Sequence, residues 1–365
     1  MPGTTLRTAA RAALVLLSTA SSSAFQPSPR TATRGARKLA AALDKSSTAA
    51  DVASAFGGPR GPAYAGAGGT AVVTGGNSGI GACSVETLAK LGMNVVLCAR
   101  DPAAGAARLA EMDLQPEERA RVTVQALDLS DLDSVKAAAA ALGEARIDVL
   151  LNNAGIMACP EAKTAQGFES QLGVNHVGHY YWTRLLLPQV KEAGRVVTVS
   201  STAHAFSDGL DLADPNFENG RKYTRWGAYG DSKLANLLFA KGLSAELRGA
   251  GRDVAAYSLH PGVINTNLGR SLPKVFSWAF GRILADKTVE QGAATSMYAC
   301  LAPAAGLAGG SYLSDCGVAQ PSSAGRDERA VEDLWAWTEA ELAAKGYEVP
   351  AVGVTEAVAV ASSVA

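Results

Sequence analysis

Short apolar runs rich in β-branched residues alternate with helical patterns through the middle of the chain. The runs typical of buried strands are "TAVVTG", "NVVLCAR", "RVTVQALDL", "IDVLLNNAG", "RVVTVSS", "VAAYSLHPG" and "GGSYLSD". Between them lie segments with the apolar spacing of helices, among them "SVETLAKLG", "FESQLGVNHVGHYYWTRLLLPQV" and "AYGDSKLANLLFAKGLSAELRG". Because strands and helices that alternate at this spacing build βαβ units, the pattern predicts a single α/β domain with a doubly wound parallel sheet of about seven strands.

The N-terminal part of the chain follows a different pattern. Arg7 and Arg11 stand before the short apolar stretch "AALVLLSTA", and small residues follow it, which is the layout of a secretory signal peptide over residues 1–24. From Phe25 onward the chain is rich in Arg, Ser and Thr and poor in acidic residues, as transit peptides are. We interpret residues 25–67 as a transit-like segment that ends in the flexible linker "GGPRGPAYAGAGG".

The other end of the chain and the composition narrow the picture. Residues 346–365 have little charge and no helical period, so we assign them as a disordered tail. The remaining residues, 68–345, are enough for one large α/β domain. The chain is 48% hydrophobic and 18% charged, and its formal net charge of −1 gives no general attraction to nucleic acid. No apolar run approaches the roughly 20 residues that a membrane-spanning helix needs.

The positions of cysteine and histidine indicate neither disulfides nor a metal site. The five cysteines form no CxxC, and most lie inside predicted strands or helices, so we expect reduced, buried thiols. The stretch "NHVGH" places His176 and His179 three residues apart, but no third ligand accompanies them. We therefore predict no metal site.

The stretch "TGGNSGIG" joins the first predicted strand to the first predicted helix. A helix N-terminus offers free N–H groups and the positive end of its dipole to a phosphate. Glycines at such a turn allow a tight bend, close approach of a pyrophosphate and packing of the helix on the strand. The spacing is GxxxGxG rather than the commoner GxGxxG, and its position predicts a dinucleotide site. The candidate contacts are Gly75, Asn77, Ser78, Gly79, Ile80 and Gly81.

The end of the second predicted strand, "LCARD", bears on the choice of dinucleotide. Folds of this kind usually place an acidic residue here, which bonds the ribose hydroxyls of NAD. Arg100 stands here instead, and a guanidinium can hold a 2′-phosphate in a bidentate fork. Asp101 leaves open the alternative of a surface Arg–Asp pair. The arginine predicts NADP(H) as the cofactor.

The stretch "AYGDSK" contains Tyr229 and, one helical turn later, Lys233. A free phenol has a pKa of about 10, and a nearby ammonium lowers that pKa by favouring the phenolate. A tyrosine placed in this way can give a proton to a carbonyl oxygen, or take one from an alcohol, as a hydride moves. Another predicted strand ends in Ser200 and Ser201, where a hydroxyl can hold the substrate oxygen, and Asn175 lies in a neighbouring predicted helix.

Together these stretches resemble the short-chain dehydrogenase/reductase family, over residues 68–345. The match includes TGxxxGIG, "LDL", "NNAG", the helix asparagine, the paired serines, YxxxK and "HPG", in that order. The resemblance implies a Rossmann-type fold and a catalytic tetrad of Asn175, Ser201, Tyr229 and Lys233. It also implies cofactor contacts from Asp128, Leu129, Asn153, Ala154, Gly155, Tyr229, Lys233, Pro261, Gly262, Val263 and Thr266.

Finer detail is similar to one subgroup of the family. The stretches "SKLANLLFAKGL" and "HPGVINTNLGR" look like those of retinol dehydrogenase-type members, which favour NADPH and act on lipophilic aldehydes, ketones or alcohols. The resemblance implies hydride transfer between NADP(H) and such a substrate. A second interpretation is light-dependent protochlorophyllide reductase, although that enzyme usually has a cysteine where Ala235 stands here. A third, from another class, is an NADP(H)-binding regulatory subunit associated with plastid protein import.

The segment at residues 265–287, "NTNLGRSLPKVFSWAFGRILADK", is strongly apolar. In the resembled family this segment is the usual substrate lid. Its character suits a lipophilic small-molecule substrate or peripheral contact with a membrane surface. Packing against the domain, or against a second subunit in a homodimer, is an equal alternative.

The presequence bears on the location of the protein. A signal peptide followed by Phe25 and a transit-like stretch resembles the bipartite plastid presequence of algae with red-algal-derived plastids. This resemblance implies a plastid protein. A mitochondrial presequence or a plain secretory signal remains as the alternative on composition.

Overall fold

The computed structural model of the protein describes residues 42–57, 68–264, 287–304 and 306–353. Its α-helices are α1 (Ala49–Phe56), α2 (Gly79–Lys90), α3 (Pro102–Glu111), α4 (Pro116–Arg119), α5 (Leu132–Ala141), α6 (Ser170–Leu172), α7 (Gly178–Leu186), α8 (Arg225–Gly249), α9 (Val289–Leu301) and α10 (Glu328–Ala344). Its strands are β1 (Thr70–Thr74), β2 (Asn94–Ala99), β3 (Val122–Ala126), β4 (Ile147–Asn152), β5 (Val190–Val199), β6 (Ala255–His260), β7 (Tyr312–Ser314) and β8 (Gly317–Val318). None of the helices in these ranges combines the length and the apolarity that a membrane span needs. The predicted signal peptide, most of the transit-like segment and nearly all of the apolar segment lie outside the described residues.

Seven strands, β1 to β7, form one parallel sheet in the order β3-β2-β1-β4-β5-β6-β7, which confirms the predicted α/β fold. The two-residue strand β8 adds an antiparallel edge to β7. The strand order reverses between β1 and β4. In open sheets of this kind, ligands bind in the crevice outside the carboxyl ends of the strands at such a reversal.

Helices cover both faces of the sheet. Val73 on β1 belongs to the core beneath α1, α2 and α9, whereas the preceding residue, Val72, belongs to the core beneath α5, α7 and α8. Both valines and every residue of β4 are buried. This two-sided burial explains why the strands are continuous apolar runs in the sequence rather than alternating patterns.

The packed domain begins closer to the N-terminus than the sequence analysis placed it. Helix α1 lies within the predicted transit-like segment and linker, yet its apolar face, including Val52 and Phe56, is buried against α9 and α2. The Phe56 ring meets that of Tyr298 edge-to-face, with centroids 5.9 Å apart. Thr48 and Asp51 form a capping box at the start of α1. This Thr-x-x-Asp signal is legible in the sequence, but the transit-like composition concealed it.

The chain also stays packed beyond the end of α10. The Tyr347 hydroxyl donates a hydrogen bond to the carboxylate of Asp133 at 3.0 Å. The buried Arg184 guanidinium donates to the carbonyl oxygen of Pro350 at 2.6 Å. The assignment of a disordered tail is therefore wrong for residues 346–353, and the rest of that segment lies outside the described residues.

The long helix predicted between β4 and β5 is interrupted. Helix α6 ends at Leu172, a π-helical turn occupies Gly173–Val177, and α7 follows. The N–H of Gly178 accordingly bonds the carbonyl oxygen of Gly173, one residue further back than in an α-helix. Single π turns within helices occur frequently at functional sites, and this one carries Asn175.

Candidate active site

The turn between β1 and α2 has a backbone that glycine adopts more easily than other residues. Gly75 and Gly79 have positive φ angles of 66° and 50°. A Cβ on Gly81 would collide with the carbonyl oxygen of Gly75, so the third glycine permits the close packing of α2 on the turn. Asn77 and Ile80 are half-buried in the same turn. The three glycines thus have the geometry that their spacing predicts.

The N-terminus of α2 differs from those of its neighbours. The carboxylates of Asp101 and Asp131 cap the N-termini of α3 and α5. Ser78, which is exposed at the start of α2, makes no side-chain capping bond. The first N–H groups of a helix have no partner within the helix. At the carboxyl end of β1 these uncapped groups, with the helix dipole, fit a phosphate.

Thr74, Asn153 and Ala154 join this turn to the end of β4. The Thr74 hydroxyl accepts hydrogen bonds from the Asn153 N–H at 2.9 Å and from the Ala154 N–H at 3.0 Å. The Asn153 side chain donates to the carbonyl oxygen of Thr74 at 2.8 Å. Two predicted cofactor residues are therefore part of the wall beside the turn. The Thr74 hydroxyl that holds them was missed as a functional group, although it opens the quoted motif.

Arg100 follows β2 at the same edge of the sheet, and it is exposed. The Asp101 carboxylate accepts hydrogen bonds from the N–H groups of Ala103 and Ala104 at 2.9 and 3.3 Å, because it caps α3. Among the residues that the structure describes, no carboxylate lies within ion-pair distance of Arg100. The alternative of an Arg100–Asp101 pair is therefore wrong, and the guanidinium can reach a ligand at this edge.

Asp128 and Leu129, two of the predicted cofactor contacts, have different surroundings. The Asp128 carboxylate accepts hydrogen bonds from the Ser130 N–H at 2.9 Å and from its hydroxyl at 2.6 Å, which fixes the turn after β3. Leu129 is 6% exposed, and its side chain belongs to the core beneath α5 and α7. Its side chain contributes to packing, so a ligand contact from this residue would come from the backbone.

The two serines after β5 have different partners. Ser200 is buried and donates its hydroxyl hydrogen to the carbonyl oxygen of Lys233 at 2.6 Å. Ser201 is half-buried, its hydroxyl oxygen accepts the Ala203 N–H at 3.1 Å, and it lies beside the Tyr229 phenol. The second serine is therefore the one that faces the tyrosine, as the family resemblance implies.

Tyr229 and Lys233 are 3% and 4% exposed. Lys233 Nζ donates to the carbonyl oxygen of Val199 at 3.0 Å and lies 5.7 Å from the centroid of the Tyr229 ring. Burial raises the pKa of Tyr229 to about 12, and the neighbouring Ser201 hydroxyl opposes that rise. Burial lowers the pKa of Lys233 to about 8. The expected lowering of the tyrosine pKa is wrong for the protein alone, because desolvation of the phenolate dominates.

The π turn presents the Asn175 side chain to the loop after β4. The side-chain oxygen accepts the Ile156 N–H, and the side-chain nitrogen donates to the Ile156 carbonyl, both at 2.9 Å. That nitrogen also donates to the Ser232 hydroxyl at 2.9 Å, which donates to the carbonyl oxygen of Tyr229 at 2.8 Å. A Cβ on Gly155 would lie 3.2 Å from Asn175 Oδ1. Asn175 therefore supports the wall of the crevice and the backbone that carries the tyrosine.

The "HPG" stretch after β6 lies against Lys287. Gly262 has a φ of 95°, and a Cβ there would meet the Lys287 side chain at 2.5 Å. Pro261 is buried, and half-buried Val263 accepts the Lys287 N–H at 3.3 Å. Thr266 lies outside the described residues. The stretch is therefore held at the edge of the sheet, next to the two serines that follow β5.

An apolar cluster surrounds the tyrosine. Its members are Met157, Ala158, Ala203, Phe206, Trp226 and Tyr229. The ring of Trp226 meets that of Tyr229 edge-to-face, with centroids 6.0 Å apart. Motif analysis missed these neighbours, although Trp226 lies one helical turn before Tyr229 on α8. They give the crevice an apolar wall beside its proton-bearing groups.

The cysteine and histidine side chains in the described ranges form neither a disulfide nor a metal site. No disulfide joins any two of the five cysteines. No three His, Cys, Asp or Glu side chains within those ranges cluster in a way that could hold a metal ion. His176 and His179 point to different partners, Thr338 for the first and Thr74 for the second.

Comparison with known proteins identifies the family. A short chain dehydrogenase family model matches residues 69–209. Retinol dehydrogenase 11 of Homo sapiens is 41% identical over 273 residues, 72% of this chain and 82% of that protein. Short-chain dehydrogenase TIC 32 B, chloroplastic, of Brassica napus is 36% identical over 281 residues, 73% of this chain and 86% of that protein. A crystal structure of an uncharacterized Mycobacterium paratuberculosis protein is 37% identical with a TM-score of 0.65, covering 84% of this chain and 99% of that one. The chain belongs to the short-chain dehydrogenase/reductase family of oxidoreductases and is retinol dehydrogenase-like within it.

Proposed function

We propose that the protein is an NADP(H)-dependent oxidoreductase that transfers hydride between the nicotinamide and a carbonyl or alcohol carbon of a lipophilic substrate. The observation that carries the proposal is that Tyr229 has Ser201 and Lys233 as neighbours at the carboxyl edge of the sheet. The similarity to retinol dehydrogenases supports the choice of substrate class.

The chain offers a suitable partner for each charged part of the cofactor. The uncapped amides at the start of α2 fit the pyrophosphate, and exposed Arg100 fits the 2′-phosphate. The backbone of Asn153 and Gly155, with the "HPG" stretch, would line the path toward Tyr229. The cofactor supplies or accepts the hydride, while the protein supplies binding, orientation and the proton.

Tyr229 is the proton donor when a carbonyl is reduced. Because burial raises the pKa of Tyr229 to about 12, the phenol keeps its hydrogen at neutral pH and can give it to the carbonyl oxygen. The Ser201 hydroxyl, beside the phenol, would hold the same oxygen. Oxidation of an alcohol needs the phenolate, which the positive charge of Lys233 favours.

The apolar wall suits a lipophilic substrate. Met157, Phe206 and Trp226 pack around the tyrosine, so an aliphatic or polyene chain can bury apolar surface beside the reacting oxygen. Such burial contributes about 25 cal/mol for each Å² removed from water. Retinal-like aldehydes, apocarotenals and aliphatic aldehydes or ketones all satisfy this chemistry.

A substrate screen tests the proposal. Purified protein is incubated with NADPH or NADH and with retinal, apocarotenals, medium-chain aldehydes, steroids or illuminated protochlorophyllide. We expect NADPH-dependent reduction of one or more lipophilic aldehydes in the dark. Turnover of protochlorophyllide alone, and only under light, would contradict the proposed substrate class.

Replacement of the tyrosine separates chemistry from binding. Tyr229→Phe keeps the packed ring and removes the proton donor, so turnover should fall by about a thousand-fold or more while NADPH affinity changes little. Tyr347→Phe removes a phenol hydroxyl that bonds Asp133 and Gln166, and it serves as the control. Substantial turnover by Tyr229→Phe would show that another group donates the proton.

A second function is favoured by the similarity to the chloroplastic TIC 32 protein. In this alternative the chain is an NADP(H)-binding regulatory subunit of plastid protein import. It predicts cofactor binding without turnover in the screen and import that Tyr229→Phe leaves unchanged. The alternative fails if purified protein reduces an aldehyde and Tyr229→Phe loses that activity.

We also propose that the protein works in a plastid and that its mature N-terminus lies between Phe25 and the packed residues that begin at 42. The chloroplastic relative supports the compartment. A fluorescent fusion to residues 1–41 should enter the plastid of an alga with a red-algal-derived plastid, and Phe25→Ala should block that entry. Mitochondrial fluorescence of the unchanged fusion would contradict the proposal.

A further inference from the structure

His179, the second histidine of "NHVGH", lies between the Gly-rich turn and the π turn. It is 1% exposed. Its Nε2 lies 2.8 Å from the Thr74 hydroxyl oxygen, and its Nδ1 lies 3.0 Å from the carbonyl oxygen of Asn175. One imidazole therefore connects the first strand of the cofactor half to the helix that carries the asparagine of the tetrad.

The partners of His179 fix its tautomer. A carbonyl oxygen can only accept, so Nδ1 carries the hydrogen that bonds to Asn175. The Thr74 hydroxyl already accepts the N–H groups of Asn153 and Ala154, so its own hydrogen points at the lone pair of Nε2. Burial lowers the pKa of His179 to about 4, which keeps the ring in the neutral form that this arrangement requires.

We propose that His179 is a positioning residue that locks the cofactor wall to the catalytic asparagine. Through Thr74 it directs the hydroxyl that holds Asn153 and Ala154. Through the carbonyl of Asn175 it fixes the turn whose side chain holds the loop after β4. The inference rests on the proposed function, because its effects fall on cofactor affinity and on turnover.

His176, three residues earlier, provides an internal comparison. It is as buried as His179, but its Nε2 bonds the Thr338 hydroxyl on α10 at 3.0 Å, away from the crevice. The Thr338 hydroxyl donates to the carbonyl oxygen of Leu334, so His176 is the donor in that pair. The two histidines therefore attach the same turn to different places: the cofactor wall and the C-terminal helix.

The first test replaces the imidazole of His179, and separately that of His176, by the phenyl ring of phenylalanine. His179→Phe should raise the NADPH dissociation constant and lower kcat at saturation, each by about ten-fold, because the Thr74 hydroxyl and the Asn175 carbonyl lose their partner. The dissociation constant is read by quenching of tryptophan fluorescence, which needs no turnover. His176→Phe is the matched control. It should lower the thermal midpoint of unfolding, while its NADPH dissociation constant and its kcat stay within about two-fold of those of the unchanged protein.

Two half-replacements keep the test decisive if His179→Phe folds poorly. His179→Gln keeps an acceptor for the Thr74 hydroxyl, so compared with His179→Phe it should restore cofactor affinity more than kcat. His179→Asn keeps a donor for the Asn175 carbonyl, so compared with His179→Phe it should restore kcat more than cofactor affinity. The inference is overturned if the His179 variants change only the thermal midpoint, as His176→Phe does. A protein without turnover would defeat the proposed function, whereas the cofactor dissociation constants would still decide the role of His179.

Discussion

The crevice at the carboxyl edge of the sheet and the two ends of the packed chain are built in opposite ways. In the crevice, polar groups are buried: Asn175 is 0% and Lys233 is 4% exposed. At the ends, apolar side chains such as Phe56 are buried instead. Burial of polar and charged groups costs free energy unless they are paired, whereas burial of apolar surface stabilises. The ends of the chain therefore help to offset the instability that the chemistry of the crevice imposes.

The C-terminal end combines both kinds of contact, because a buried cation as well as apolar side chains such as Val352 attaches it. Arg184 on α7 lies over the ring of Trp335 at 5.1 Å from its centroid and forms an ion pair with Glu339 on α10. The same guanidinium bonds the carbonyl oxygen of Pro350. One buried cation thus joins α7 to α10 and to the segment after it.

The largest effect is expected at the N-terminal end. Phe56→Ala should reduce the free energy of unfolding by about 3–5 kcal/mol, because a fully buried aromatic ring is lost from the contact between α1 and α9. Urea unfolding followed by circular dichroism measures the change, and Lys45→Ala, at an exposed position, is the control. A loss below about 1 kcal/mol would mean that α1 is not part of the cooperative unit.

The next effect is a gain of stability within the crevice. The pKa of Lys233 is lowered from 10.5 to about 8, so the folded state carries a penalty that is full below pH 8 and vanishes above pH 10.5. Lys233→Met should therefore stabilise the protein at pH 7, by about 3 kcal/mol at most, while abolishing turnover. The side chain of Asn236 still donates to Val199, so no carbonyl is left without a partner.

The pH dependence distinguishes this explanation from simple repacking. The advantage of Lys233→Met over the unchanged protein should shrink as the pH rises from 8 to 10.5, because both folded and unfolded lysine become neutral. Lys241→Met, on the same helix but in a partly exposed ion pair, is the control for the loss of a lysine. An advantage that is constant across this range would contradict the assigned cause.

The smallest effect concerns the choice of cofactor. A charge-assisted hydrogen bond from Arg100 to a 2′-phosphate should contribute about 1.5–3 kcal/mol. Arg100→Ala should therefore weaken NADPH binding by roughly ten- to a hundred-fold and leave NADH binding nearly unchanged. Fluorescence titration with each cofactor measures both values, and Arg108→Ala on α3 is the control. Equal losses for the two cofactors would show that Arg100 acts on the structure of the turn.

Features of the site that depend on local spacing could be predicted from the sequence, whereas those that depend on contacts between distant segments could not. The glycines at the first turn and the Tyr229–Lys233 pair are fixed by local geometry, so their spacing predicts them. The apolar surroundings of Tyr229 include Met157, which no spacing in the sequence connects to it. The π turn likewise depends on contacts of Asn175 with a distant loop.

The ends of the chain were misassigned for a related reason. Composition suggested a transit segment and a tail, but composition does not report whether a partner surface exists for a short amphipathic helix. Helix α1 had a legible capping box at Thr48, whereas its partner, α9, lies more than 200 residues away in the sequence. Tertiary contacts of that kind appear only once the sheet is assembled.

The central claim is that Tyr229 performs the chemistry while the ends of the chain supply stability. The most direct test is a single-turnover measurement of NADPH oxidation with excess enzyme and a saturating lipophilic aldehyde, at a temperature where all variants are folded. We expect Phe56→Ala to oxidise the cofactor within about two-fold of the rate of the unchanged protein, and Tyr229→Phe to bind it but leave it reduced. Oxidation by Tyr229→Phe at a comparable rate, or its loss in folded Phe56→Ala, would contradict the claim.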